Sequence, residues 1–278
     1  MGDQMRYGVV LPGGDATEQL ELAVLAEKAG WDGVFVWEGV YGIDAWGLLC
    51  AMAVRTNRVR LGTLLTPLPW RRPWKVASQA ATLDQLSHGR AILAVGLGAY
   101  PDMVMGTEEV SDRRERAERL DEGIDLIRTL WSGGRTYHGR HFDFDATERG
   151  ELVDLARPVQ EKLPIWVVGR WPRPKSMRRA ARCDGVIPEY SPPDVPATSQ
   201  DRRELRAWLA EHGAAPDIDM VAEGQTRGDD PEAARYVAGH GEDGCTWWLE
   251  VRWEGTEEGS PLELIRERIA AGPPREQR

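Results

Sequence analysis

Short apolar runs alternate along this chain with longer stretches in which apolar residues recur every three or four positions. The first run, Tyr7-Gly-Val-Val-Leu11, is followed by Pro-Gly-Gly and then by Asp15-Ala-Thr-Glu18, which has the spacing of a helix capping box. Leu22, Leu25, Ala26 and Ala29 fall on one helical face, Gly30 stops it, and Gly33 to Trp37 is apolar again. That is a strand, a helix and a second strand, and the pattern repeats. Helices are predicted over 44–55, 75–87 and 112–131, with strands over 59–63 and 91–95. In the second half, strands are predicted over 164–168, 184–188, 218–222 and 245–251, and helices over 175–182, 200–212, 231–238 and 261–271. Such alternation implies parallel strands, and eight pairs in 278 residues suit a closed α/β (β/α)8 TIM barrel better than an open doubly wound sheet. The expected organisation is one barrel domain over 1–271 and a polar tail over 272–278. Residues 132–162 form a long irregular connection between the fourth and fifth strands, a place where functional loops occur.

Composition narrows the partners. With 41% hydrophobic residues the chain can bury a sizeable core, and no apolar stretch approaches the roughly 18 residues that cross a bilayer. The start, MGDQMRYGVV, lacks the basic-then-apolar pattern of a secretory signal, so a cytoplasmic location is expected. A net charge of -10 and a pI near 5.1 argue against nucleic acid, which needs a basic stripe. Cys50, Cys183 and Cys245 lie far apart among apolar or small neighbours and read as core thiols.

In a barrel of this kind the residues just after each strand form the active site. Four carboxylates stand there: Glu38, Glu189, Glu223 and Glu250. Each has a bland reading, an ion pair with an arginine such as Arg252 or Arg227, and a functional one as acid or base. Glu38 is the first candidate, because a carboxylate beside Trp37 and Trp46 is partly desolvated; Glu189 is the second. After the fifth strand, Gly169, Arg170, Arg173, Lys175 and Ser176 lead into a helix, and its amino-terminal N–H groups with these side chains form a candidate anion site. The competing reading is a solvated loop with outward arginines. Gly96-Leu-Gly-Ala-Tyr-Pro101 fails the dinucleotide fingerprint, and Gly96 and Gly98 read instead as letting the backbone approach a flat ring. His138-Gly-Arg-His141 has near-ligand spacing, but five histidines in all make a catalytic metal set improbable, and no metal is expected.

The stretches "LAEKAGWDGVFVWE", "NRVRLGTLLTPLPWRRP", "ATLDQLSHGRAILAVGLG", "RRERAERLDEGIDLIRTLW" and "RPVQEKLPIWVVG", with "RRAARCDGVI" after them, resemble successive blocks of the bacterial luciferase-like family of flavin-dependent oxidoreductases. They run in family order over most of residues 6–188, and the LDQLSHGR block is the most specific. The resemblance implies a barrel that binds reduced FMN or, in a large subset, a deazaflavin coenzyme of the F420 type. It places the coenzyme phosphate near the cluster Gly169 to Ser176, a non-prolyl cis bond around Leu64-Leu65, and the substrate near Trp46; Trp37 and Tyr100, just after the second and fourth strands, are further substrate candidates. A monooxygenase acting on a small organic substrate is the first expectation. Deazaflavin-dependent hydride transfer and a non-catalytic flavin-binding barrel are the alternatives, and a homodimer through barrel helices is common in the family. The chain departs from the family in having Glu38-Gly39 where many members carry Asp-His, which puts a histidine-dependent mechanism in doubt, and in its bulkier Gly169-Arg170-Trp171-Pro172.

Overall fold

In a computed structural model, residues 5–99, 112–148, 156–192, 195–255 and 259–275 are described. The first half runs β1 (Arg6–Leu11), α1 (Ala16–Lys28), β2 (Gly33–Val36), α2 (Ala45–Ala53), β3 (Arg60–Thr63), a two-residue β4 (Thr66–Pro67), α3 (Pro73–Leu86), β5 (Ala91–Gly96) and α4 (Arg113–Trp131). A single 3-10 turn, Leu68–Trp70, separates β4 from α3. A hairpin of β6 (Thr136–His138) and β7 (Asp143–Asp145) follows. The second half runs β8 (Ile165–Trp171), α5 (Pro174–Ala181), β9 (Gly185–Tyr190), α6 (Ser199–Glu211), β10 (Asp219–Gly224), α7 (Ala233–Glu242), β11 (Trp247–Glu250) and α8 (Pro261–Ala270).

Strand pairing closes on itself. The order β3-β2-β1-β11-β10-β9-β8-β5 is completed by a β3–β5 pairing, and every neighbour in this ring of eight is parallel. The fold is a TIM barrel, as the alternation predicts. Asp15 and Glu18 form the expected capping box, and Thr198 with Asp201 and Ser260 with Glu263 do the same for α6 and α8. Two apolar clusters result. One lies between the strands and the helices, and the other fills the barrel. Inside the barrel Phe35, Trp166 and Trp247 meet with ring centroids 5.3 to 5.9 Å apart, so three large aromatic groups plug the interior as a packed core. Cys183 and Cys245 are buried, and burial pushes their thiols up to about 11 and about 12, where thiolate chemistry is suppressed.

Two expectations need correcting. The connection 132–162 is not wholly irregular: the hairpin within it packs Phe142 and Phe144 against Trp74 of α3. In it, His138 Nδ1 meets Asp143 and His141 Nε2 meets Glu118 of α4. The fifth barrel strand also runs three residues past Val168 to Trp171, so Gly169 and Arg170 are strand residues rather than loop.

The LDQLSHGR block forms a clasp at the base of the barrel, where α3 hands over to β5. Asp84 is fully buried, and its carboxylate accepts from the backbone N–H groups of Val159, Gln160 and Ala91 and from the Gln160 side chain. Arg90 donates to the backbone oxygens of Ala53, Thr56, Val59 and Ser87 and to the Thr56 hydroxyl. His88 and Gly89, at φ 54° and 84°, make the turn between them.

Candidate active site

Alternate residues of each barrel strand face inward, so continuing the interior cluster toward the carboxyl ends gives the residues that floor the mouth. Val10 is followed by Pro12, Phe35 by Trp37, Val168 by Arg170, Ile187 by Glu189 and Val221 by Glu223, while Leu64 and Val251 complete the layer. A cavity of about 850 Å³ opens above it, within the size range of small-molecule sites. Its walls include Glu38, Leu64, Leu65, Gly98, Arg170, Ser176, Glu189 and Trp37, so the structure brings together most of the residues singled out by sequence. The Leu64-Leu65 peptide is cis, as the resemblance implies.

Trp46, Gly96, Gly169, Arg173 and Lys175 lie outside the cavity wall. Trp46 is buried outside the cavity wall and donates its Nε1 to Glu38. A Cβ on Gly96 would strike Leu65, and one on Gly98 would strike Trp70, so side-chain packing fills the space beside both glycines. Gly169 faces outward, where Met177 and Ala180 of α5 need its missing side chain. Ser176 accepts from the Arg170 N–H through its Oγ and keeps its own hydroxyl hydrogen for the cavity. Arg173, the residue before α5, and Lys175 are exposed, Lys175 lining an adjoining cleft. Tyr100 lies outside the described residues.

Sequence reasoning missed Arg113, Arg116 and Arg179, which also line the mouth. They sit on α4 and α5, and only the closed barrel brings those helix ends to the same rim. Arg179 is held bidentate by Asp121, and Arg116 donates to the carbonyls of Leu97 and Gly98. The cleft, of about 870 Å³, continues from the mouth between α4 and α5, sharing Arg113 and Arg179 with it and adding Arg114, Lys175, Arg178 and Arg182 beside the carboxylates of Asp112, Glu118 and Asp121, so that cations outnumber acids two to one.

The four strand-end carboxylates divide into two kinds. Glu38, 5% exposed, pairs with Arg71 and accepts from Trp46 Nε1 at 3.1 Å and Thr66 Oγ1 at 2.7 Å. Glu250 is fully buried, accepts from the Thr226 N–H and hydroxyl and from Trp248 Nε1, and lies within 4 Å of Arg252 and Arg268. The bland ion-pair reading holds for these two. Glu189 and Glu223 have no ion pair among the described residues. Glu223 is ringed by barrel atoms although water reaches its carboxylate through the mouth; that crowding first, and then the charge of Glu189, push it up to about 7.

A pH dependence of stability follows. The folded protein keeps the Glu223 proton in a range where the unfolded chain, with a glutamate near 4.5, has released it. Stability from this group is therefore full below the unfolded value and is lost as pH rises through about 7. Glu223→Gln should match the parent at about pH 4 and exceed it by about 1 kcal/mol at about pH 8.5, a figure kept small because solvent screens the mouth. Thermal unfolding at the two pH values checks this.

The luciferase-like monooxygenase family model matches residues 4–276, nearly the whole chain. The chain belongs to this luciferase-like family. A relative from Mycobacterium tuberculosis (strain ATCC 25618 / H37Rv), named as a coenzyme F420-dependent oxidoreductase, is 32% identical over 78% of this chain and 64% of its own length. The 4-hydroxyprotoasukamycin monooxygenase of Streptomyces nodosus subsp. asukaensis is 38% identical over 74% of this chain and 57% of its own length. The chain thus spans somewhat over half the length of these two curated luciferase-like relatives. Among solved structures, an F420-dependent secondary alcohol dehydrogenase in complex with an F420-acetone adduct superposes with a TM-score of 0.74, covering 96% of this chain and 99% of that one at 19% identity, a likeness of fold. Both F420-dependent oxidoreductases and monooxygenases therefore occur among the neighbours, and the luciferase-like oxidoreductases are enzymes.

Proposed function

We propose that this chain is a deazaflavin-dependent oxidoreductase that exchanges a hydride between an F420-type coenzyme and a small organic substrate. The observation that carries the reading is the run of cations leaving the mouth. Arg170 stands on its floor, and Arg113, Lys175 and Arg178 follow along the cleft between α4 and α5. The last three have no acidic partner among the described residues. FMN ends at its phosphate, whereas an F420-type coenzyme continues beyond its phosphate into a chain of carboxylates, and only the latter makes use of a cationic groove that extends outward.

The residues present fit such a group. Leu64, Leu65 and Val168 offer an apolar wall for a planar ring system; Arg170, the Ser176 hydroxyl and the first turn of α5 suit a phosphate; and the cleft cations suit carboxylates. When bound, such a coenzyme supplies a two-electron hydride carrier without activating oxygen. The barrel would orient it and keep water from the reacting face.

Titration with coenzyme F420 and with FMN, followed by fluorescence and absorbance, tests the reading. F420 should bind more tightly, and Lys175→Glu with Arg178→Glu should weaken it about tenfold or more at low salt while changing FMN affinity less than twofold. Preferential FMN binding untouched by the reversals would favour the second reading, a flavin monooxygenase, which the likeness to the 4-hydroxyprotoasukamycin monooxygenase supports.

A further inference from the structure

Glu189 and Glu223 occupy neighbouring positions on neighbouring strands. The β9–β10 register pairs Gly185 with Asp219 and Val186 with Met220, and continuing it pairs Glu189 with Glu223. Both follow by two residues an inward side chain of the barrel core, Ile187 and Val221, so both carboxylates rise from the floor of the mouth. In the ring of strands β10 is diametrically opposite β3, with three strands between them on either side, so the pair faces Leu64 across the cavity.

Among the described residues, the charged groups around the pair form no ion pair with it. On β8, Arg170 is beside Glu189 in register, but its Nε is engaged by Ser191 Oγ and it makes no ion pair with Glu189. Past β2, Glu38 is occupied with Arg71. On β11, Glu250 pairs in register with Gly224 and is enclosed by Thr226, Trp248, Arg252 and Arg268. Arg113, Arg116 and Arg179 belong to the helical rim of α4 and α5. Crowding by barrel atoms and the neighbouring charge of Glu189 favour the protonated form of Glu223.

We propose that Glu189 and Glu223 are the catalytic acid-base pair of this site, taking the hydroxyl proton of an alcohol substrate as its carbon-bound hydrogen leaves as hydride. This rests on the hydride-transfer reading above. The alcohol is oxidised to a carbonyl compound: its O–H and C–H bonds break, the second C–O bond forms, the proton goes to the ionised member of the pair, and the hydride with both electrons goes to the deazaflavin. In the reverse direction the protonated member returns its proton to the carbonyl oxygen. The arrangement suits an acid and a base of the same chemical type, kept in different protonation states by proximity.

Two measurements separate the pair from the reading it rests on. In coenzyme-free protein, infrared difference spectra across a pH titration should show the C=O stretch of a protonated carboxyl that persists to near neutrality. The band should vanish in Glu223→Gln and titrate at lower pH in Glu189→Gln. Its absence from the parent shows that Glu223 holds no proton near neutrality and overturns the acid-base pair whatever the coenzyme. With F420 as acceptor and a panel of primary and secondary alcohols, Glu223→Gln should lose about 100-fold in kcat and its inflection near neutral pH, with the F420 Kd within twofold of the parent. Turnover retained by Glu223→Gln overturns the catalytic role, and a parent that binds F420 but oxidises no alcohol overturns the substrate class. Failure to bind F420 at all, with the infrared band intact, removes the hydride-transfer reading and the alcohol step while leaving the protonated pair.

Discussion

Arg71→Ala is expected to lower stability by about 3–5 kcal/mol, the cost typical of removing one partner from a buried ion pair. Glu38 would keep the neutral donors Trp46 and Thr66 and lose the cation that balances its charge. The effect should reach the cavity, because Glu38 ties together the end of β2, the start of α2 and Thr66, the residue immediately after the Leu64-Leu65 peptide. Urea unfolding should show a lower midpoint with an unchanged slope. Replacing both partners, Arg71→Met with Glu38→Leu, should recover only part of the loss, since an apolar pair carries no stranded charge but leaves the buried Trp46 N–H without its acceptor. Equal midpoints for the parent and Arg71→Ala would show that the pair contributes nothing net. Glu38, first in line as a proton donor or acceptor from sequence alone, is in this light better suited to holding the wall of the mouth in place.

The second large effect belongs to the base of the barrel. Asp84→Ala should cost about 3 kcal/mol, because the N–H groups of Val159, Gln160 and Ala91 lose a charged acceptor and the connection into β8 loses its anchor on α3. Asp84→Asn keeps the volume but presents an amide to several donors at once, so it should recover only part of the loss. Turnover per folded molecule should be unchanged in both variants, since the clasp lies at the end of the barrel away from the mouth. Chemical unfolding and an activity assay normalised to folded protein check the two halves of this expectation.

The alternation of apolar runs with helical faces was enough to read eight strand-helix pairs, because parallel barrel strands are buried on both sides and their helices show a single apolar stripe. Where the reading failed, the cause was local. In sequence Gly169 reads as the end of a strand, but it is small because Met177 packs on it, and the strand continues to put Arg170 in the mouth. The hairpin in the 132–162 connection has strands of three residues each, too short for a period to show.

The site was legible as a set of positions and not as a set of partners. Four glutamates could be placed at strand ends by counting, but which of them were neutralised depended on residues distant in sequence. Glu38 meets Arg71, and Glu250 meets Arg268. That Glu189 and Glu223 have no ion pair among the described residues could be seen only in the structure. The cations on α4 were invisible for the same reason: a helix seen alone does not reveal which rim its first turn will reach.

The clasp built by Asp84 and Arg90 is the part of this chain most recognisable by its letters, and it sits at the far pole from the chemistry. A comparison keyed to that octapeptide will therefore gather proteins that share a chassis, while the reaction each performs is written on the opposite face and can drift without disturbing it.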